Sequence, residues 1–192
     1  MTALIIGLFL FLSTHSSRIF AEANRAQYIA HYGEKKWKLA YSIVSIIGLG
    51  LIIWGYAQTR LDPVYLWHPP VWTRHLAALL TLPAFILLVA AYVPGSRLKA
   101  ALGHPMVLGV KLWAAAHLFA NGTLADLLLF GSFLVWSIAC FSSARKRDRV
   151  QATPRSAGRW SRDFIVLIVG VGAWGVFAKH LHVMLFGIAP FG

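Results

Sequence analysis

Six long apolar stretches constrain this chain of 192 residues more than any other feature of its sequence. Each comes close to the roughly 20 apolar residues that an α-helix needs to cross a bilayer. Hydrophobic residues make up 58% of the chain and charged residues only 12%, as is typical of integral membrane proteins. We therefore predict an all-α, polytopic membrane bundle forming a single domain over residues 1–192, with about six transmembrane helices. The predicted spans are Thr2–Phe20, Leu39–Ala57, His75–Val93, Pro105–Ala120, Thr123–Phe141 and Phe164–Phe186.

The distribution of positive charge predicts how these spans are oriented. Lys and Arg outnumber Asp and Glu by 18 to 6, and 14 of the 18 lie in alternate connectors at 18–38, 97–99 and 145–162. In a soluble protein such a surplus would suggest a nucleic-acid partner, but this placement favours a topology signal and no nucleic acid. By the positive-inside rule these connectors face the cytoplasm, so both termini are predicted on the opposite side.

Two connectors carry further structural predictions. The connector at Asn121 and Gly122 is so short that the fourth and fifth helices must form a tight antiparallel hairpin, with Gly122 suited to a left-handed helix C-cap. The polar stretch Ser142–Asp163 is predicted to be a basic cytoplasmic loop. Cys140 is the single cysteine, so a disulfide within one chain is excluded.

Glycines on two predicted helices mark faces where another backbone or a flat ligand could approach closely. Helix packing is the favoured interpretation of both faces. They contain Gly48 and Gly50 on the second helix, and Gly170, Gly172 and Gly175 on the sixth.

Two of the eight histidines are predicted to lie near the middle of the membrane. His15 and His117 each follow about 11 residues of their helix, which places both about 16 Å deep on antiparallel helices. Two imidazoles at matching depth could hold a haem between them, with both residues as axial metal ligands. The alternative is that each histidine only hydrogen-bonds a neighbouring helix. The sequence gives no role for His104, His180 or His182.

Three further residues are candidates for cofactor binding, each with an alternative interpretation. Arg18 follows His15 by three residues and could meet a haem propionate, or act only as a topology-setting charge. Asn121 lies four residues after His117 and could orient its imidazole, or cap the helix. Lys111 could pair with a propionate or extend toward the cytoplasmic edge.

Three blocks of the sequence resemble the NnrU family of bacterial membrane proteins. They are "FLFLSTHSSRIF", "GEKKWKLAYSIVSIIGLGLIIWGYA" and "HPMVLGVKLWAAAHLFANGTLADLLLFGSFL". The resemblance implies a multi-pass protein of the bacterial inner membrane that is linked to nitrite and nitric oxide metabolism in denitrification. The superfamily includes zeta-carotene isomerase, a membrane enzyme with haem b. Its implicated haem ligands match His15 and His117, so the resemblance implies haem b iron at these positions.

Three functions remain open from the sequence. The first is a haem-b-binding protein that takes a gaseous ligand such as nitric oxide. The second is a haem-dependent cis-trans isomerase acting on a lipophilic polyene, a carotenoid. The third is a cofactor-free transporter or scaffold. Membrane lipid is the expected surrounding partner in each case, with a second copy of the chain or a respiratory complex as candidate protein partners.

Overall fold

The computed structural model describes residues 1–154 and 157–191, and these fold almost entirely into helices. The remaining regular structure in the described part consists of two isolated β-bridges. The all-α prediction is therefore confirmed for these residues. The helices are α1 (Thr2–His15), α2 (Ser17–Phe20), α3 (Glu22–Tyr32), α4 (Glu34–Thr59), α5 (Trp72–Tyr92), α6 (Arg97–Leu102), α7 (Pro105–Ala120), α8 (Leu124–Val150), α9 (Trp160–Val176) and α10 (His182–Phe186), with a π-helical turn at Phe177–Leu181 joining α9 to α10.

Each predicted span contains a helix, but the helices fall into two length classes. By length and composition, four in the described part can cross a bilayer: α4, α5, α8, and the run from α9 through α10. The other two apolar helices, α1 and α7, have 14 and 16 residues. At 1.5 Å per residue they are about 21 and 24 Å long, shorter than a hydrocarbon core of about 30 Å. These two short helices carry His15 and His117.

The main helices pack in the order α4, α1, α8, α7, α5, α9. The position of α8 between α1 and α7 matters most for function, because both histidine-bearing helices pack against it. A buried cluster at this junction joins α1, α4 and α8, and consists of Leu4, Leu8, Ile52, Ala125, Leu129 and Phe130.

Glycines allow α1 and α4 to cross with their backbones in contact. A Cβ atom added to Gly7 would lie 2.6 Å from the backbone nitrogen of Ile52, and one on Gly48 would lie 2.9 Å from that of Phe11. A Cβ on Gly55 would clash with the backbone of Leu4. Gly48 therefore allows the predicted close approach of another helix backbone, whereas Gly50 faces open space.

The predicted glycine face on the last long helix divides in the same way. A Cβ on Gly170 would lie 2.8 Å from the Cα of Ile86 on α5, so this glycine lets α9 approach α5. Gly172 and Gly175 meet open space, so intramolecular packing explains only Gly170.

The prediction that Ser142–Asp163 forms a loop is largely wrong. Helix α8 continues past Phe141 to Val150, and α9 begins at Trp160. The basic residues in this stretch favour helix well enough to extend α8 beyond its apolar part, where the hydropathy pattern alone placed its end. Residues 155 and 156 lie outside the described residues.

The hairpin between α7 and α8 is confirmed, but its turn is built differently from the prediction. Asn121 ends α7 in an extended conformation, with φ −126° and ψ 149°, and Gly122 is not among the glycines with positive φ. The carbonyl oxygen of Gly122 accepts hydrogen bonds from the backbone nitrogens of Leu66 and Trp67. A Cβ on Gly122 would clash with the carbonyl of Trp67. This position requires glycine because it lies in close contact with the loop that contains Leu66 and Trp67. It does not form a left-handed helix cap.

Candidate functional site

His15 is the last residue of α1, and its Nδ1 atom is committed to the helix itself. Nδ1 lies 2.7 Å from the carbonyl oxygen of Phe11, one turn earlier. A carbonyl can only accept, so Nδ1 carries a proton, and in the neutral ring, the form that binds metals, Nε2 keeps its lone pair. The ring stacks on Phe11 at 4.0 Å between centroids and lies near Tyr41 and Trp136. His15 therefore presents an unprotonated nitrogen, the form that binds a metal.

His117 on α7 has the same local arrangement. Its Nδ1 lies 2.8 Å from the carbonyl oxygen of Trp113, one turn earlier, which again leaves Nε2 unprotonated. The ring stacks on Phe130 of α8 at 4.6 Å between centroids. A hydrogen bond from Nδ1 to a carbonyl is the usual way in which proteins orient a ligating histidine.

The two imidazoles do not face each other directly. His15 lies beside Trp136 and His117 beside Phe130, six residues earlier on α8, which corresponds to about 9 Å along the helix axis. This offset differs from the common depth that the sequence predicted. A series of ring contacts connects the two histidines, in the order His15, Phe11, Phe133, Trp113 and His117. The distances between successive ring centroids are 4.0, 5.8, 5.6 and 5.2 Å.

A cavity of about 340 Å³ lies beside His15 and is not lined by His117. We call it the arginine cavity, because three guanidinium groups from three helices line it. Cys140 contributes a thiol to the same wall. The charged and hydrogen-bonding side chains in the lining are His15, Arg18, Arg25, Tyr41, His104 and Arg147.

The arginine cavity is electrostatically positive. Glu22 contacts both Arg18, at 3.6 Å, and Arg25, at 3.1 Å. Arg147 donates instead to the carbonyl of Arg18 and the hydroxyl of Ser143. Two of the three guanidinium groups thus contact one carboxylate and the third contacts none, and such a site attracts an anionic group.

Of the predicted cofactor residues, Arg18 shares a site with His15 in the structure. Asn121 donates from Nδ2 to the carbonyl oxygen of His117 at 2.9 Å and so caps α7 without contacting the imidazole. Lys111 is half-buried on α7 and is not part of the cavity lining. Asn121 therefore secures the end of the helix that carries His117, as its alternative interpretation predicted.

The sequence alone did not indicate Arg25, His104 or Arg147 as site residues. His104 bonds through Nε2 to Asp148 at 3.0 Å, which joins the start of α7 to the end of α8. Arg147 was assigned to a loop because α8 was predicted to end too early. The signal was present, since Cys140 and Arg147 are seven residues apart and lie on one helix face.

Polar groups at the opposite end of α8 are satisfied within the protein. Asp126 forms a capping box with Thr123, accepting from its backbone nitrogen at 3.0 Å and its hydroxyl at 2.6 Å. The hydroxyl of Tyr56 on α4 donates to the other carboxylate oxygen of Asp126. We call Tyr56, Gly122, Thr123 and Asp126 the hairpin end. Within the described ranges, no cluster of three or more His, Cys, Asp or Glu side chains could hold a metal ion.

The long apolar helices, together with a basic cavity beside His15, define a helical membrane protein with a candidate anion site. A family model described as NnrU protein matches residues 3–190, and the chain therefore belongs to the NnrU family. This confirms the resemblance seen in its sequence blocks. No curated protein and no solved structure matches the chain.

Proposed function

We propose that this protein binds haem b within the membrane, with His15 and His117 as the iron ligands. One observation carries the proposal. Both histidines use Nδ1 for a backbone carbonyl one turn earlier and keep Nε2 unprotonated. When bound, haem iron would supply a centre that changes redox state and takes small ligands.

The residues around His15 have the chemistry that a haem needs. Phe11, Tyr41 and Trp136 surround the imidazole with aromatic surface on which a porphyrin face could pack. The Nε1 donor of Trp136 is buried and has no hydrogen-bond partner, so the site also offers an unused donor. Arg18 supplies positive charge for a propionate. These features support haem at the His15 side of α8.

His117 is the proposed second ligand, and its fit rests on different grounds. Its Nε2 is available, and Asn121 caps the helix beneath it. Its ring is joined to that of His15 through Phe11, Phe133 and Trp113, which form the aromatic surface between the two ligands. Lys111 is proposed as a second positive charge for the propionates, and its half-buried position on α7 is compatible with that role.

The wider role proposed here follows the family: a haem protein of the bacterial inner membrane linked to nitrite and nitric oxide metabolism. The carotenoid isomerase alternative requires a long apolar channel beside the histidines. The cavity described beside His15 is lined by arginines instead, which favours a haem with its carboxylates over a polyene. A cofactor-free scaffold is the remaining alternative, and it predicts that the purified protein holds no haem.

The test is haem retention by single alanine variants in detergent-purified protein. His15→Ala and His117→Ala should each remove most of the b-type absorption, because each removes one of the two proposed iron ligands. His31→Ala is the matched control, since His31 is exposed on α3 and should leave the spectrum unchanged. Full haem content and unchanged spectra in both test variants would overturn the ligand assignment.

Nitric oxide addition then tests the proposed metabolic link. The reduced wild-type spectrum should shift when nitric oxide is added, because haem, when bound, would supply iron that takes small ligands. An unchanged spectrum would contradict nitric oxide binding and leave haem ligation standing.

A further inference from the structure

Arg147 is the cation of the arginine cavity that has no carboxylate partner among the described residues. It lies half-buried on α8 and donates to the carbonyl of Arg18 at 3.1 Å and to Ser143 at 2.7 Å. Both are neutral acceptors, so the charge of the guanidinium is not balanced by either bond. Holding an unpaired charge at a partly buried site is unfavourable unless an anionic group joins it.

Arg18 and Arg25 do not balance the positive charge of Arg147, because they are cations themselves. Both contact the same carboxylate, that of Glu22 at the start of α3. The nearby carboxylate of Asp148 bonds His104. Three arginines line the cavity and Glu22 contacts two of them, so the positive charge of the cavity favours an anionic ligand.

The positions of the lining residues indicate how an anionic ligand would be oriented in the cavity. His15 ends α1, and Arg18 follows three residues later at the start of α2. Arg147 lies seven residues beyond Cys140 on α8, about 10 Å farther along the helix. A ligand in the cavity would thus place its apolar part near the imidazole and its anionic part near the arginines.

We infer that Arg25 and Arg147, together with Arg18, form the binding site for the two propionate carboxylates of haem. This inference rests on the proposed haem function and deepens it. Guanidinium groups bind carboxylates through paired, charge-assisted hydrogen bonds, and the carboxylates would supply the anionic partner that Arg147 lacks. His15 and His117 would hold the iron, and the arginines of the cavity would hold the carboxylates.

The test compares haem b with its dimethyl ester, which has the same ring and iron but no carboxylate charge. Protein purified in detergent from cells starved of haem precursor is titrated with each compound, and binding is followed by the Soret absorption. Arg147→Gln and Arg25→Gln are the test variants. Lys146→Gln is the matched control, because Lys146 is an exposed neighbour on α8 with the same charge.

The inference predicts that each test variant loses about 10-fold in affinity for haem b, the value expected for one charge-assisted hydrogen bond. Affinity for the dimethyl ester should not change in the same variants, and Arg147→Lys should recover part of the loss. Lys146→Gln should bind haem b like the wild type. The comparison with the ester separates carboxylate binding from damage to the fold, which would weaken both titrations.

Three outcomes would overturn the inference. The wild type binds the ester as tightly as haem b, or the variants lose equal affinity for both, or they lose none. In these cases haem binding itself stands, and only the propionate site fails. A wild type that binds neither compound would instead show that the haem proposal has failed, and this inference would fail with it.

Discussion

The polar side chains at the two ends of α8 differ in how completely they are paired within the protein. At the hairpin end, the carboxylate of Asp126 is buried, with 4% of its surface exposed, and accepts from Thr123 and Tyr56. At the arginine cavity, Arg147 is half-buried and bonds only neutral acceptors. The first arrangement is complete without a ligand, and the second gains a partner when an anion binds. The arginine cavity therefore lies at the opposite end of α8 from the polar groups that are fully bonded within the protein.

The largest expected effect concerns the α1–α4 contact near the hairpin end. Gly55→Ala should strongly destabilise the fold, because the new Cβ would clash with the backbone of Leu4. Overpacking of this kind costs about 1–3 kcal/mol and occasionally more. Thermal unfolding in detergent would measure the loss. Gly50→Ala on the same helix is the control, since its Cβ meets open space and its stability should be unchanged or slightly higher.

An equal loss in the two glycine variants would contradict the close contact between α1 and α4. It would also contradict the tight packing of these two helices beside the hairpin end.

A smaller effect is expected for Asp126→Asn. The amide keeps one acceptor oxygen where the carboxylate has two, so Tyr56 and Thr123 can no longer both donate to oxygens at this position. The expected cost is about 1 kcal/mol of unfolding free energy, close to the net value of one hydrogen bond. Haem content should stay near that of the wild type, because the hairpin end is structural.

Asp62→Asn provides the control for this variant, because Asp62 lies exposed in the loop after α4 and its change should be within about 0.5 kcal/mol. A stable Asp126→Asn protein that has lost its haem would place Asp126 in the functional site and break the contrast between the two ends.

The smallest effect is expected for His104→Ala. His104 lines the same cavity as His15, but the proposed iron ligands are His15 and His117, and the Nε2 of His104 bonds Asp148. The variant should lose less than about 1 kcal/mol of stability and keep the haem spectrum. Absorption spectra and thermal unfolding of the same sample would show both. If His104→Ala loses haem as His15→Ala is predicted to do, the iron ligands are His15 and His104.

The helices were predictable from sequence because long apolar stretches and the short Asn121-Gly122 connector specify them directly. The end of α8 was not, since residues beyond Phe141 are polar and only their helix propensity extends it to Val150. That error also hid Arg147. The role of Gly122 required tertiary structure, because its contact is with Trp67, more than 50 residues away.

The candidate site was only partly predictable for a related reason. Spacing along one helix placed Arg18 beside His15, and the structure brings both into the arginine cavity. Arg25 comes from a separate helix, and its position depends on how α3 folds back after α2. Depth along a helix suggested that His15 and His117 lie level, but their ring contacts differ by six residues on α8. The orientation in the membrane and the six full spans stay predictions.

Haem binding is tested most directly by the visible absorption spectrum of the detergent-purified wild type, oxidised and then reduced with dithionite. We expect a Soret band with sharp reduced alpha and beta bands, typical of b-type haem bound through histidine. A protein that stays colourless after expression with added haem precursor would contradict haem binding. His15 and His117 would then be structural residues of a membrane scaffold or transporter.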